Sequence, residues 1–199
     1  KYDDSNGGFS IMSELRTNKI LPRDGLPAAS SGTRNGGGIL QVVYAQKKDT
    51  QTITGSDQRD DIDISGLSFT IKPSSSSSLI LIQASISAFV DGNQQMSFSL
   101  KANGSIITDA LGDAGNSTQK RILASAHGNQ SNNDDWVLGS TSFSYLHAPA
   151  TTSNVTYQVI LAMATTTGTS YINRTERDGG YTYYDYRGIS TVTGMEISA

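Results

Sequence analysis

The residue types able to do chemistry are scattered along this chain of 199 residues. His127 and His147 stand twenty positions apart, with no third ligand type clustered beside either. A catalytic or metal-binding imidazole needs partners at hydrogen-bond or ligand distance, so both read as ordinary turn or surface histidines. Cysteine is absent, which removes disulfides, thiolate zinc sites and thiol nucleophiles together. No serine lies in a GlyXaaSerXaaGly elbow opening a helix, so a serine nucleophile has no support. Asp57, Asp60, Asp61 and Asp63 form one acidic cluster, and Asn132, Asn133, Asp134 and Asp135 another. Calcium takes oxygen ligands from such loops, but neither run has the spacing of a calcium loop, and Asx residues are also the vocabulary of turns. The sequence therefore assigns no catalytic residue, no metal ligand and no cofactor. A glycan-acting hydrolase is the weakest alternative, because the separation of two catalytic carboxylates is a property of the fold.

Two further patterns bear on recognition. Asn103, Asn116, Asn129, Asn154 and Asn173 each open an AsnXaaSer/Thr tripeptide, which chance supplies readily in a chain so rich in these residues. The sharpest local feature is Gly179–Gly188, where Tyr181, Tyr183, Tyr184 and Tyr186 fall within six residues between glycines, with Arg187 beside them. Tyrosine joins a large apolar face to a polar tip, so an exposed cluster suits a sugar or a protein surface. Arg174 and Arg177 lie nearby to pair with acidic groups. The competing reading is a tyrosine-rich hairpin packed across strands or buried at a subunit contact. Trp136, the single tryptophan, reads as core or interface.

The elements that would position these residues are strands. Hydrophobic residues make up 36% and charged residues 17% of the chain, and the net charge is −3. Low charge with short apolar runs suits strands that alternate between core and water, and offers no basic footprint for nucleic acid. No run approaches the length of a membrane-spanning helix, and the first residues lack the form of a signal peptide. Period-2 alternation marks Leu67–Ile71, Leu79–Val90, Met96–Leu100 and Val155–Met163, while Ile39–Gln46 is strongly β-prone, Trp136–Leu146 sets Val137, Phe143 and Tyr145 on alternate positions, and Ile189–Ile197 reads as the last strand. Turn signals separate them at Gly55, Pro73 with Ser74–Ser78, Asp91–Asn93, Asn103–Gly104, Gly112–Asn116 and Gly179–Gly180. This predicts an all-β protein: an antiparallel two-sheet sandwich, jelly-roll-like, over 39–199. Residues 1–38, with Pro22, Pro27 and the Gly/Ser-rich Ser30–Gly38, read as an extended N-terminal arm and linker. Within it Ile11, Met12 and Leu15 approach helical spacing, and an extended form is equally compatible.

Several segments resemble a family of virion proteins of tailed bacteriophages, of the kind common in marine phages. The resemblance runs through Met12–Pro27, Ile39–Ala45, Leu67–Leu81, Tyr145–Ala150, Tyr171–Thr175 and Arg187–Ile197, with a diverged middle. It implies a non-enzymatic virion component, most of all a tail-fibre or spike-type appendage for host attachment, with a capsid decoration or head-fibre protein as the alternative. It also implies a homotrimer, assembled in the host cytoplasm, that binds other virion proteins through the arm and, as a tail fibre or spike, a host surface glycan. Met12, Leu15, Ile20, Leu21 and Pro22 are the arm's attachment candidates, and Tyr181, Tyr183, Tyr184, Tyr186 and Arg187 the receptor-binding candidates. Neither nucleic acid nor membrane insertion is expected.

Overall fold

The period-2 runs do form strands. In this computed structural model the described residues are 38–54, 61–90, 95–113, 115, 120–127, 138–163, 168–183 and 185–198. The arm candidates Met12, Leu15, Ile20, Leu21 and Pro22 lie outside them, as do Trp136, Tyr184, the Asn132–Asp135 cluster, Asp57 and Asp60. In chain order the strands are β1 (Ile39–Lys47), β2 (Gln51–Thr54), β3 (Ile62–Ile71), β4 (Leu79–Val90), β5 (Gln95–Ala102), β6 (Ser105–Ile106), β7 (Ala124–His127), β8 (Gly139–His147), β9 (Val155–Met163), β10 (Thr169–Ile172) and β11 (Ser190–Ile197). The helical content among the described residues is one 3-10 turn, Thr108–Ala110.

All pairings are antiparallel, in two sheets. In the first, β1 pairs β11, β11 pairs β4, and β4 pairs β8 on its other side. The short β2 and β10 extend the ranks of β1 and β11, since β10 pairs both β2 and the far end of β4. In the second sheet β3 pairs β9, β9 pairs β5, and β5 pairs both β7 and β6. Counting only the eight main strands in chain order, the sheets run 1-8-3-6 and 2-7-4-5, which is the strand order of a jelly roll.

Alternation decides what each strand buries. Ile80, Ile82, Ala84, Ile86 and Ala88 of β4 face Leu67, Phe69 and Ile71 of β3, Met96, Phe98 and Leu100 of β5, and the odd positions of β9 from Val155 to Met163; all are buried in one core. A cross-strand row, Val43–Gly194–Ile82–Tyr145, shows how closely the sheets meet. A Cβ on Gly194 would fall 2.3 Å from the Phe69 ring, so only glycine lets that ring lie on β11. Phe69 in turn rests against Tyr157, with ring centroids 5.2 Å apart.

Candidate functional site

The tyrosine loop is held at its base by a buried asparagine. Asn173 follows β10 in the left-handed region, φ 62°, which Asn tolerates better than most residues, and it has no exposed surface. Its Nδ2 donates to the carbonyls of Lys47 (2.8 Å) and Asp49 (2.9 Å), and its Oδ1 accepts from Ser190 Oγ at 2.6 Å. Its backbone N donates to Ser87 O (2.8 Å) and its carbonyl accepts from Gly188 N (3.0 Å). Ser190 Oγ also accepts from Ser87 N at 3.0 Å. One residue, through its side chain and its backbone, thus ties the β1–β2 corner, β4, β10 and the start of β11 together. Being buried, Asn173 is no glycan acceptor.

Above that knot the loop closes by an isolated bridge between Arg174 and Arg187 rather than a hairpin ladder. Arg174 donates to the carbonyls of Thr175 (3.1 Å) and Glu176 (2.9 Å) and to Thr52 Oγ1 (3.0 Å), and its guanidinium stacks 4.2 Å from the Tyr171 ring centroid. Arg177 lies 4.6 Å from the Tyr181 centroid, and its Nε is 3.9 Å from Asp185 Oδ1. Asp185 Oδ2 accepts from Tyr181 N at 2.7 Å, and Asp185 N donates to Tyr181 O at 3.0 Å. Arg187 pairs with Asp178. The arginines expected to meet acidic groups of a ligand therefore already brace the loop on its own acids and carbonyls. Tyr181, Tyr183 and Tyr186 are 58%, 77% and 52% exposed, which removes the reading in which they pack across this chain's own strands. Arg187 is half-exposed beside them.

The other singled-out residues are structural where the structure describes them. Asp61 pairs with Lys120 at 2.8 Å and Asp63 with Lys101 at 2.7 Å, so these two acids have side-chain cations as partners. No group of three or more His, Asp or Glu among the described residues is placed to hold a metal. The shallow recess of about 200 Å³ beside Asp61 is lined by that ion pair and by Arg121, whose Nε donates to Gly112 O at 2.7 Å. His127 ends β7 opposite Gln95. His147 is not an ordinary surface histidine. Its Nδ1 is 2.7 Å from the hydroxyl of the buried Tyr157, and the rings meet edge-on at 5.5 Å. Burial pushes the Tyr157 hydroxyl pKa far up, so it stays protonated beside Nδ1. Burial also lowers the His147 pKa, against the opposing pull of the Asp109 charge.

Sequence reasoning missed Glu196, whose bonds join β1, the serine run and β11. It has no exposed surface. Gln41 Nε2 donates to its Oε2 at 2.5 Å, while Ser74 N (2.7 Å) and Ser74 Oγ (2.6 Å) donate to its Oε1. Burial raises its pKa, but the donors from Ser74 and Gln41 outweigh that and hold it at about 2. The serine run read as a turn is therefore also a carboxylate cap.

These features sit at opposite ends of the sandwich. Ser198 N donates to Gly38 O at 3.1 Å, so the entry to β1 and the exit from β11 are adjacent. The tyrosine loop precedes β11, whose eight residues carry it about 25 Å away at some 3.3 Å per residue. Among the described residues, no helix is long and apolar enough to cross a membrane.

No family model matches the chain, and no curated protein matches it. Among solved structures it is similar to the VP2 subviral particle of infectious bursal disease virus, at 10% identity and a TM-score of 0.42, covering 93% of this chain and 44% of that one. It is also similar to the structure of the Gx strain of that virus, at 11% identity and 0.43, covering 90% and 42%. The chain spans less than half the length of those proteins, and a likeness this distant carries no argument about what it does.

Proposed function

We propose that this chain is a non-enzymatic structural module of a tailed-phage virion, an appendage component of the tail-fibre or spike type that assembles with its own copies and touches the host surface. The observation that carries this is the braced tyrosine loop, lying at the end of the sandwich opposite Gly38. Three rings stand exposed on a loop held by Arg177, Asp185, Arg187 and Asp178, so little entropy is lost when a surface glycan stacks on them. A stacked ring contributes about 0.5–1.5 kcal/mol beyond its buried area. One loop is therefore a weak site, and adhesion draws on several copies acting together. Attachment to other virion proteins falls to the arm preceding Gly38, with Met12, Leu15, Ile20, Leu21 and Pro22 as its contacts.

Replacing Tyr181, Tyr183, Tyr184 and Tyr186 by Ser tests this. Host-cell adsorption should fall at least about tenfold while the melting temperature moves by no more than about 2 °C. Unchanged adsorption with a collapsed melting temperature would remove the loop as a receptor surface. A second reading, a decoration or fibre of the head, is favoured by the jelly-roll strand order, an architecture that capsid domains use. Gold-labelled antibody on intact virions separates the two by marking tail or head.

A further inference from the structure

We propose that the outward face of the β8–β4–β11–β1 sheet, at the end where β1 begins and β11 finishes, packs against a neighbouring copy of this chain. This deepens the self-assembling part of the function above and is independent of whether the module sits on tail or head.

The register places Val42, Met195, Leu81 and Leu146 directly opposite one another across all four strands. Their in-row neighbours on the inner side, Val43, Gly194, Ile82 and Tyr145, point into the core, so this row points to solvent. Leu40 and Tyr44 flank it on β1. Leu40, Val42, Tyr44 and Leu146 are 51%, 56%, 61% and 46% exposed, and the adjoining Ile39 is 60% exposed. These five side chains present about 500 Å² of largely apolar surface, at the upper end of what a monomer ordinarily leaves uncovered.

Charge identifies the occupant. Every outward position of the four strands is uncharged: apolar at one end of the sheet and, apart from the buried Phe89, Ser, Thr or Gln towards the other. The outer face of the opposite sheet, by contrast, carries the Lys101–Asp63 pair. Depletion of charge is the compositional mark of an interface core. A face with no charge offers nothing to nucleic acid or to an acidic or basic partner. It does let two copies of a chain of net charge −3 approach without like-charge repulsion where they touch. The face is the open side of a sheet, and a sheet of the same twist matches it. The apolar area is about five-eighths of the roughly 800 Å² per partner of a standard stable interface, and the Ser/Thr/Gln part supplies a polar rim.

Sedimentation of the full chain across micromolar concentrations tests the assignment. The unaltered chain should associate, and the double variant Val42→Asp with Leu146→Asp should raise the dissociation constant at least about tenfold with an unchanged far-UV spectrum. If those aspartates disturb the fold, single cysteines decide instead, since the chain has none of its own. Val42→Cys or Leu146→Cys should be captured as a covalent dimer by a short bis-maleimide, and Thr70→Cys, exposed on the opposite sheet, should not. A monomer at every concentration overturns the proposal and the self-assembly it rests on. Association that persists in the aspartate variant, or crosslinking only at position 70, overturns this face alone and leaves self-assembly through another surface standing.

Discussion

Glu196 keeps its charge while losing its water, and that makes the fold acid-sensitive in a defined window. The folded carboxyl holds its charge down to about 2, whereas in the unfolded chain it takes a proton near its ordinary 4.5. Between those values the unfolded state binds the extra proton, so this contribution is complete above about pH 4.5 and lost as pH falls towards 2. Glu196→Gln should flatten stability against pH across that window, measured as denaturant midpoints at a series of pH values. His147 acts earlier and in the same direction: its ring is held neutral below 6.5, so acid favours the unfolded chain, and His147→Asn should remove that first slope. Asn173 works through satisfied bonds instead of charge. Asn173→Ala strands the carbonyls of Lys47 and Asp49 and the Ser190 hydroxyl, and should cost at least about 3 kcal/mol in unfolding free energy, since each of these three orphans costs about 1–3. None of this was legible from the residues alone. Asn173 offered a tripeptide suggestive of a glycan and Glu196 a carboxylate at a strand end, because their partners are up to 126 and 155 positions away in the chain.

Strands were legible because alternation is local. The inward sets of β3, β4, β5 and β9 follow the period-2 patterns of the sequence. Pairing was not, since a strand's own pattern says which face is wet but not which strand lies beside it. Hence the outer row of Val42, Met195, Leu81 and Leu146 could not be seen, although each residue is plain in its own strand. The tyrosine loop fell between these cases. Its aromatic density was visible, whereas the bracing by Arg177, Asp185 and Asp178 required the loop's folded path. Gly194 belongs to the element scale too, for it lies mid-strand, where glycine otherwise weakens a sheet. The Phe69 ring over its Cα explains it. Gly194→Ala should lower stability by about 1–3 kcal/mol through forced repacking of that ring. The pair Gly194→Ala with Phe69→Leu should lose less than the two separate losses summed, in a double-mutant cycle on denaturant midpoints.

At the scale of the molecule, the first strand and the last are neighbours. β1 is the outer rank of its sheet and reaches β4 only through β11, so the rank order cannot close until the C-terminal strand is in place. The Gln41–Glu196 bond spans 155 positions, and closing so long a loop costs entropy before its contacts form. Jelly-roll closure should accordingly be slow, on the order of milliseconds to seconds, as for β-sandwiches dominated by non-local pairing. It should also be all-or-none. A chain ending at Ile189 lacks β11, leaves the facing edges of β1 and β4 unpaired, and leaves Asn173 Oδ1 without Ser190. Such a chain should show no cooperative thermal transition in far-UV circular dichroism, while the full chain shows one. Adding β11 as a separate peptide should restore the transition, because the vacancy between β1 and β4 is a template for one antiparallel strand. A transition retained without β11, or no recovery on adding it, would mean that β1 and β4 find another partner. The order also has a consequence for assembly. The proposed self-association row needs Met195 of β11 between Val42 and Leu81, so the face that joins copies comes into being only when each copy has finished folding.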